Sequence, residues 1–348
     1  MEPCGTFSES YEQDMAIIRT RLQRGLFVGF LVFMFILPIF LSVYWLSVLN
    51  LIAITIIIVH GLNVLTGYCG QISLGQAAFV AVGSYTSAIL STNFGWSFWL
   101  CLPIAAIVSG LIGVIFGVSA TRVKGFYLAV ATLGAQFIII YVIEHLKITG
   151  GIHGIAAAPP KIGNIVINND RSFCYLTLAM AVIMTFFVKN IARTRMGRAF
   201  IAIKDNDLAA EVMGINLFAY KMIAFFICCA FAGIAGSLWA HYMRYVTTTQ
   251  FALIDSIWYL GMLIVGGMGT AMGPIFGVVF IKILQVVLDR LAPKLIEVFP
   301  TFGMVAGASL TLGVFGLIII LFLIFEPRGI AHRWEMLKSY YRLYPYSY

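Results

Sequence analysis

A long stretch of this sequence carries no charge. From residue 25 to residue 121 the chain contains no Lys, Arg, Asp or Glu. A soluble protein has no core large enough to bury such a stretch, whereas a membrane-spanning helix takes about 20 apolar residues. The stretch therefore has room for about four spans, and the chain is predicted to be a polytopic membrane protein.

The apolar pattern of the whole chain predicts an all-α protein with about ten transmembrane helices. The 348 residues are 61% hydrophobic and 10% charged, with a mean hydropathy of +0.98, which is far outside the range of soluble domains. The predicted spans are 26–48, 50–66, 73–91, 98–120, 125–146, 173–191, 219–243, 255–272, 274–291 and 303–325.

The distribution of basic residues predicts the orientation of the chain. Of the 22 Lys and Arg residues, 15 fall on one side of the predicted spans, and basic residues are enriched on the cytoplasmic side. The net charge of +8 is scattered between the spans and does not indicate nucleic-acid binding. The predicted parts are a cytoplasmic N-terminal tail (1–25), a membrane domain (26–327) with an outer loop (147–172) and an inner segment (192–218), and a cytoplasmic C-terminal tail (328–348).

Glycines and uncharged polar side chains interrupt the apolar pattern between residues 59 and 90. Irregular backbone at membrane depth is tolerated only where protein buries it or where it lines a pathway, so we predict a broken central helix here. His60, Asn63 and Gly67 share one helix face, which serves either interhelical hydrogen bonding or a pathway. A lining without fixed charge suits a zwitterion with a hydrophobic side chain. The candidate pathway residues are His60, Asn63, Thr66, Gly67, Gly70, Gln71, Ser73, Gly75 and Gln76.

The ninth predicted span carries a second polar stripe. Lys282, Gln285 and Asp289 follow i, i+3, i+7 spacing. A charge at the bilayer centre costs about 2.5–3.5 kcal/mol on insertion scales, so Lys282 is expected to face protein or water. It either pairs with a carboxylate or a partner subunit, or it contacts a carboxylate of the substrate. Lys282 and Gln285 are therefore further candidate pathway residues.

The inner segment is predicted to form two short helices at the membrane surface. Met196, Phe200 and Ile203 define an apolar face, with the basic side chains directed elsewhere. The second helix is predicted to begin at 205–207, where carboxylates can cap free amides, and to stop at Gly214. The segment is either an interfacial linker or an element on which a cytoplasmic motor acts.

Five strings in the sequence resemble the permease subunits of ABC importers for branched-chain amino acids, and their pattern is similar to the M-type subunit. They keep the same order across almost the whole chain. The strings are GLNVLTGYCGQISLGQAAFVAVGSY (61–85), TGGIHGI (149–155), RMGRAFIAIKDNDLAAEVMGIN (195–216), VGGMGTAMGPIFG (265–277) and FEPRGI (325–330).

This resemblance implies the ABC importer permease fold and a set of partners. The partners are a second homologous permease, two cytoplasmic ATPases and a periplasmic or extracellular binding protein, in a bacterial or archaeal cytoplasmic membrane. The resemblance assigns ATPase coupling to Arg195, Gly197, Arg198, Lys204, Asp205, Asn206, Asp207, Ala209, Ala210, Glu211 and Gly214. It assigns the outer mouth to Thr149, Gly150, Gly151, His153 and Gly154, and helix packing or a tight turn to Gly266, Gly267, Gly269, Gly273 and Pro274.

The motifs that are missing bear on the chemistry of the chain. The sequence has no G-x-x-x-x-G-K-[ST] phosphate loop, so ATP and magnesium are expected on the partner ATPases and no cofactor on this chain. No metal-ligand spacing and no G-x-S-x-G nucleophile elbow occur, so we expect neither a metal site nor an enzyme. An ion-coupled secondary transporter is the alternative class, but its buried carboxylates are missing from the first four spans. Within the permease class, urea, short amides and aromatic acids are alternative substrates.

Overall fold

The computed structural model describes residues 21–121, 125–162, 165–167, 169–298 and 305–343. Most of the predicted N-terminal tail, the last residues of the C-terminal tail and three positions of the outer loop fall outside these ranges. Arg122 and Lys124, which contribute to the predicted orientation, also lie outside the described residues.

The described chain is predominantly helical, as the sequence predicts. Its α-helices are α1 (Arg21–Phe40), α2 (Val43–Leu62), α3 (Gln76–Asn93), α4 (Phe98–Thr121), α5 (Phe126–His145), α6 (Asp170–Arg193), α7 (Arg195–Asp205), α8 (Asp207–Val212), α9 (Leu217–Met243), α10 (Leu253–Gly266), α11 (Gly273–Val298), α12 (Val305–Phe325) and α13 (Gly329–Leu343). Short strands are β1 (Ile155–Ala156), β2 (Lys161–Ile162), β3 (Ile165–Val166) and β4 (Tyr245–Val246), paired antiparallel as β1 with β4 and β2 with β3.

Several of these helices have the length and composition of membrane spans. Among the described residues 6 helical segments qualify, or up to 7 if α12 and α13, which meet at a bend of 44°, count as one span. The chain is therefore a multi-pass membrane protein. Helix α3 does not qualify because polar residues such as Gln76, Ser84 and Ser87 dilute its apolar character. All three are fully buried within the protein, so their polar groups do not face lipid.

Among the helix boundaries that differ from the sequence prediction, two have a clear local cause. The window 26–48 contains two helices, because α1 ends at Phe40 soon after Pro38 and Ser42 adopts an extended conformation as the N-cap of α2. The window 255–272 ends early, at Gly266, because Gly267 has a φ of 111° that a helix cannot continue.

Helices α3 and α9 form the centre of the bundle and touch through their backbones. A Cβ at Gly83 would lie 2.5 Å from Gly233 Cα, and a Cβ at Gly236 would overlap the carbonyl of Val80. Small residues let transmembrane helices approach closely, which adds van der Waals contact where no hydrophobic force acts between them. Around this pair, α4 packs on both helices, while α2 packs against α6 and α11. The predicted pathway stretch therefore lies inside the bundle.

Candidate functional site

The stretch between α2 and α3 combines a π-helix with irregular backbone. Residues Asn63–Tyr68 continue α2 as a π-helix, and the amide of Cys69 donates to the carbonyl of Val64 at 3.2 Å. Residues 69–75 are not helical, and α3 begins at Gln76. Two bonds hold the turn: Gln71 N donates to Leu65 O at 3.0 Å, and Thr66 Oγ1 donates to Gln71 O at 3.0 Å. Single π-helical turns of this kind are frequent at functional sites.

Asn63 clamps the loop that follows α10 onto this π-helix. Its Oδ1 accepts from the amide of Gly269 at 2.9 Å, and its Nδ2 donates to the carbonyl of Thr270 at 2.8 Å. The side chain is fully buried, so both ends of its amide must be satisfied by protein. For Asn63 the structure therefore shows the interhelical role rather than an open polar group.

Lys204, in the last turn of α7, also reaches the π-helix. Its Nζ donates to the carbonyl of Gly67 at 2.8 Å. A Cβ at Gly67 would lie 2.6 Å from the amide of Gly269, so glycine allows the loop and the lysine to approach together. Three strings that lie far apart in the sequence thus meet within one set of contacts. The sequence prediction directed Lys204 away from the apolar face of its helix but did not find this partner.

His60 is fully buried and only half satisfied. Its Nε2 lies 3.0 Å from Thr185 Oγ1 on α6, whereas its Nδ1 has no hydrogen-bond partner. The Oε1 of Gln71 is likewise buried without a partner. Buried polar groups are nearly always paired in native proteins, so these two atoms are exceptions close to the π-helix. The sequence analysis missed Thr185, a polar residue inside an apolar window.

Side chains from other helices bind free amides at, and just before, the start of α3. The hydroxyl of Thr132 accepts from Leu74 N at 2.9 Å, that of Ser256 accepts from Ala77 N at 2.9 Å, and Gln136 Oε1 accepts from Ala78 N at 2.8 Å. The first amides of a helix lack intrahelical partners, and inside a membrane no water replaces them. The sequence analysis did not single out these three acceptors, although each is a polar residue in an otherwise apolar window.

The remaining candidate pathway residues line the same turn. Ser73 and Gln76 are fully buried; Ser73 Oγ accepts from Gly75 N at 3.4 Å, and Gln76 Oε1 accepts from the thiol of Cys228 at 3.2 Å. A Cβ at Gly75 would lie 2.5 Å from the carbonyl of Thr132. Gly70 has a φ of 72° and lies against the side chain of Lys204.

Lys282 and Gln285 lie elsewhere, half-buried on α11. The charge of Lys282 interacts with those of Asp255 and Asp289. In the part of the chain that the structure describes, neither Lys282 nor Gln285 forms a hydrogen bond with residues 59–76. The structure therefore does not bring these two candidates together with the others.

Residues 192–218 form two short helices with a different apolar face from the predicted one. Phe200 and Ile203 are buried, but Met196 is exposed, and Gly197 packs against the backbone of the preceding helix. The amide side chain of Asn206, rather than a carboxylate, caps α8 by accepting from Ala209 N at 3.1 Å. Of the coupling candidates, Gly197 and Ala210 are buried, Asp207 is half-buried, and the exposed ones are Arg195, Arg198, Lys204, Asp205, Asn206, Ala209, Glu211 and Gly214.

The glycines between α10 and α11 form a tight turn. Gly267 and Gly269 have φ values of 111° and 79°, which favour glycine. A Cβ at Gly266 would overlap the carbonyl of Gly273, and the hydroxyl of Thr270 accepts from Gly273 N at 3.0 Å. Pro274 follows in the first turn of α11, where its missing N–H costs nothing.

The outer-mouth candidates form a compact turn that is fixed to the end of α9. Thr149 Oγ1 donates to the carbonyl of Ile143 at 2.6 Å, and the φ values of Gly150, Gly151 and Gly154 are all positive. Strand β1 then pairs with β4, so that Ile155 lies opposite Val246. The Tyr245 hydroxyl donates to the carbonyl of His153, whose side chain is exposed.

A buried histidine ties this outer loop to the helix bundle. His241 Nδ1 lies 2.6 Å from the carbonyl of Ala158, and its Nε2 lies 3.0 Å from Ser87 Oγ on α3. Because a carbonyl only accepts, Nδ1 carries the proton and Nε2 accepts from the serine. Thr92 Oγ1 adds a bond to the carbonyl of Ala156 at 2.6 Å. The sequence analysis assigned no role to His241, since a lone histidine without ligand spacing gives no signal.

Comparison with known proteins gives one family. The family described as "Branched-chain amino acid transport system / permease component" matches residues 44–323. The chain is 31% identical over 333 residues to the high-affinity branched-chain amino acid transport system permease protein LivM of Escherichia coli (strain K12), covering 88% of this chain and 75% of the relative.

More distant relatives carry related names. The probable branched-chain amino acid transport permease protein LivH of Methanocaldococcus jannaschii is 25% identical over 76% of this chain and 85% of its own length. The autoinducer 2 import system permease protein LsrC of Salmonella paratyphi B is 27% identical over 60% of this chain and 62% of its own length. No solved structure gave a significant match.

Proposed function

The chain belongs to the family of permease components of branched-chain amino acid transport systems, and from this premise we propose that residues 26–327 form one half of the translocation pathway of an ATP-driven importer. The observation that carries the coupling part of this proposal is the bond from Lys204 to the carbonyl of Gly67. It links the inner segment 192–218 directly to the turn that follows α2.

The stretch His60–Gln76 is proposed to line and gate the pathway. Its polar groups are an imidazole, amides and hydroxyls without fixed charge, so a zwitterion can pass without being trapped. The unpartnered Nδ1 of His60 and Oε1 of Gln71 support this role, because each is a polar atom inside the bundle that lacks a protein partner. Lys282 and Gln285 are proposed to serve helix packing, since Asp255 and Asp289 lie near enough to Lys282 to favour its charge.

The inner segment is proposed to receive the motion of the ATPases. Helix α8 and the residue after it expose apolar side chains at Leu208, Val212 and Met213, with exposures of 66%, 87% and 82%. Exposed apolar patches mark interaction sites. These three residues lie in the segment that directly follows α7, whose last turn carries Lys204. ATP and magnesium would bind to the two ATPases, not to this chain.

The complete importer is proposed to contain a second, homologous permease and an external binding protein. We place the ten membrane crossings of this chain at α1–α6 and α9–α12, with both termini and the inner segment in the cytoplasm. Among the described residues, 6 helical segments, or up to 7, have the length and composition of a span by themselves. The outer loop 147–172 would then face the binding protein, in a bacterial or archaeal cytoplasmic membrane. This arrangement leaves the choice of substrate largely to the binding protein.

Uptake by the reconstituted complex tests the substrate class. Proteoliposomes that contain both permeases and both ATPases, supplied with binding protein and internal ATP, should accumulate labelled leucine. Labelled urea, a labelled short amide and a labelled aromatic acid are tested as alternative substrates in separate vesicles. Vesicles that contain ADP in place of ATP serve as the blank. Uptake of urea without uptake of leucine would contradict the proposal, and uptake without ATP but with an ion gradient would favour a secondary transporter.

A further inference from the structure

The string FEPRGI at 325–330 has no role in the proposed function. In the structure it forms the turn between α12 and α13, where Gly329 N donates to the carbonyl of Glu326 at 2.8 Å. Arg333, in the second turn of α13, forms an ion pair with Glu326, and the hydrogen bond that its Nε donates lowers the pKa of the Glu326 carboxyl. These two bonds to Glu326, from Gly329 and from Arg333, therefore hold the two ends of the turn together.

This turn packs directly against the glycine loop between α10 and α11. Gly329 has a φ of 72°, and a Cβ there would lie 2.5 Å from Gly267 N and 2.6 Å from Gly267 Cα. In the other direction, a Cβ at Gly267 would lie 2.8 Å from the carbonyl of Arg328 and 3.3 Å from the Cβ of Ala331. Ala331 is only 2% exposed, so the contact is closely packed on both sides.

The far side of the same loop is held by Asn63 through Gly269 and Thr270. The loop 267–270 is thus clamped between the C-terminal turn and the π-helix, and the π-helix is in turn bonded to Lys204. A loop fixed on one side only can follow a pull from Lys204 without moving the helices behind it. A loop fixed on both sides passes the pull to α10 and α11.

We propose that the turn Glu326–Ala331 is a positioning element for energy coupling, which braces the loop 267–270 so that a displacement of α7 is passed through the π-helix and this loop to α10 and α11. This inference rests on the proposed function of the inner segment but adds a role for the C-terminal turn. Packed elements with two discrete arrangements transmit such displacements, whereas loosely held loops absorb them.

The test compares Gly329→Ala with Gly316→Ala in the reconstituted complex. A Cβ at Gly316, on α12, has nothing within 4 Å, so this variant is a matched control for the same substitution. In Gly329→Ala we expect ATP hydrolysis to persist while substrate taken up per ATP falls by about tenfold, as the strain of one disfavoured backbone residue displaces the loop. Gly316→Ala should keep the wild-type ratio.

A second measurement does not depend on the substrate. In Gly329→Ala, amide hydrogen exchange should become faster in the peptides that cover 63–70 and 267–273. Both peptides are far from residue 329 in sequence, so a change there reports a spatial contact. A wild-type ratio and wild-type exchange in these peptides would overturn the inference. If wild-type complex fails to import leucine but the exchange effect appears, the substrate assignment fails while the bracing role stands.

Ala331→Val keeps the test decisive if Gly329→Ala does not assemble. It leaves both glycines in place and adds bulk only at the buried contact with Gly267. An assembled complex with a lowered uptake per ATP supports the bracing role. Loss of assembly in both variants would overturn it, because the contact would then serve folding alone.

Discussion

The charged side chain of Lys204 donates its hydrogen bond to a backbone carbonyl rather than to a carboxylate. A hydrogen bond from a charged donor is shorter and stronger than one between neutral groups, and it needs no particular side chain at the receiving residue. The receiving carbonyl, that of Gly67, belongs to a π-helix, in which the regular i to i−4 pattern is lost. Lys204, which the sequence predicts as a coupling residue, therefore contacts the segment at the end of α2 that lacks regular α-helical hydrogen bonds.

Replacing Lys204 tests this contact at the scale of one bond. Lys204→Met keeps the length and the apolar stem but removes the donor, at a cost of about 1.5–3 kcal/mol for a bond to a charged group. We expect uptake per ATP to fall about tenfold while ATP hydrolysis continues. The measurement is parallel uptake and phosphate release in proteoliposomes.

Lys204→Arg is the matched control, since it keeps the charge and the donors. It should retain most of the coupling that Lys204→Met loses. Equal uptake per ATP in Lys204→Met and in the wild type would show that the bond from Lys204 to Gly67 does not transmit the motion of the ATPases.

Asn63 gives a second prediction, for stability. Asn63→Ala leaves the half-buried amide of Gly269 and the half-buried carbonyl of Thr270 without their side-chain partner, and each such group costs up to about 1–3 kcal/mol where water does not reach it. The thermal unfolding midpoint of the detergent-solubilised complex should fall. Asn93→Ala, at the exposed end of α3, removes the same side chain without a buried bond and should leave the midpoint unchanged. A midpoint for Asn63→Ala that matches the control would be inconsistent with a clamping role.

At the scale of elements, the sequence predicted which segments are helical but not how their ends are satisfied. The apolar windows correspond to α1–α6 and α9–α12 because hydrophobicity and length are local properties. The amides at the start of α3 bond to Thr132, Gln136 and Ser256, which lie on two other helices. The local sequence around α3 does not predict which distant residues provide these bonds. Asn63 likewise bonds a glycine 206 residues away, so its partner follows from the packing of α2 against the loop.

Helix α8 provides a prediction at this scale. Gly214 ends the element with a φ of 86°, and proline is restricted to a φ near −65°, so Gly214→Pro must reorient α8. No atom lies within 4 Å of a Cβ at this position, so packing of the membrane bundle is unaffected. We expect transport to be abolished while the two permeases still copurify. Full transport in Gly214→Pro would remove the inner segment from the coupling route.

Gly197→Pro perturbs the start of the same segment, where α7 packs against the end of α6. The same loss of transport with retained permease pairing is expected. Copurification of the ATPases with each variant separates lost docking from lost transmission, because only the former releases them.

At the scale of the molecule, the bundle has two polar layers with different partners. The inner layer joins the π-helix, the loop 267–270, Lys204 and the C-terminal turn. The outer layer joins the loop 153–158 to α3 and α9 through His241 and Thr92. Helix α3 connects the two, since its first amides bond to Ser256 and Gln136, while Thr92 in its last turn bonds to the loop 153–158.

The assignment of these layers to opposite sides of the membrane is testable in cells. His153→Cys and Leu208→Cys each place a thiol on an exposed position. A membrane-impermeant maleimide should label intact cells at 153 only, and should label 208 after permeabilisation. The native cysteines in the described residues are all buried, and Cys4, which lies outside them, is replaced by serine in both variants to keep the background low. Labelling of both sites in intact cells would contradict the proposed topology.

The bond between Lys204 and Gly67 also decides how this contact can be recognised in relatives. Because the acceptor is a main-chain oxygen, a change at 204 needs no compensating change at position 67, where the close approach of Gly269 requires glycine. Position 67 is therefore expected to stay glycine whichever residue stands at 204, and covariation will not report their proximity. The carbonyl carbon of Gly67 is the direct reporter: its NMR chemical shift should move when the lysine donor is removed, and should alternate during the transport cycle if the bond opens and closes with each ATP.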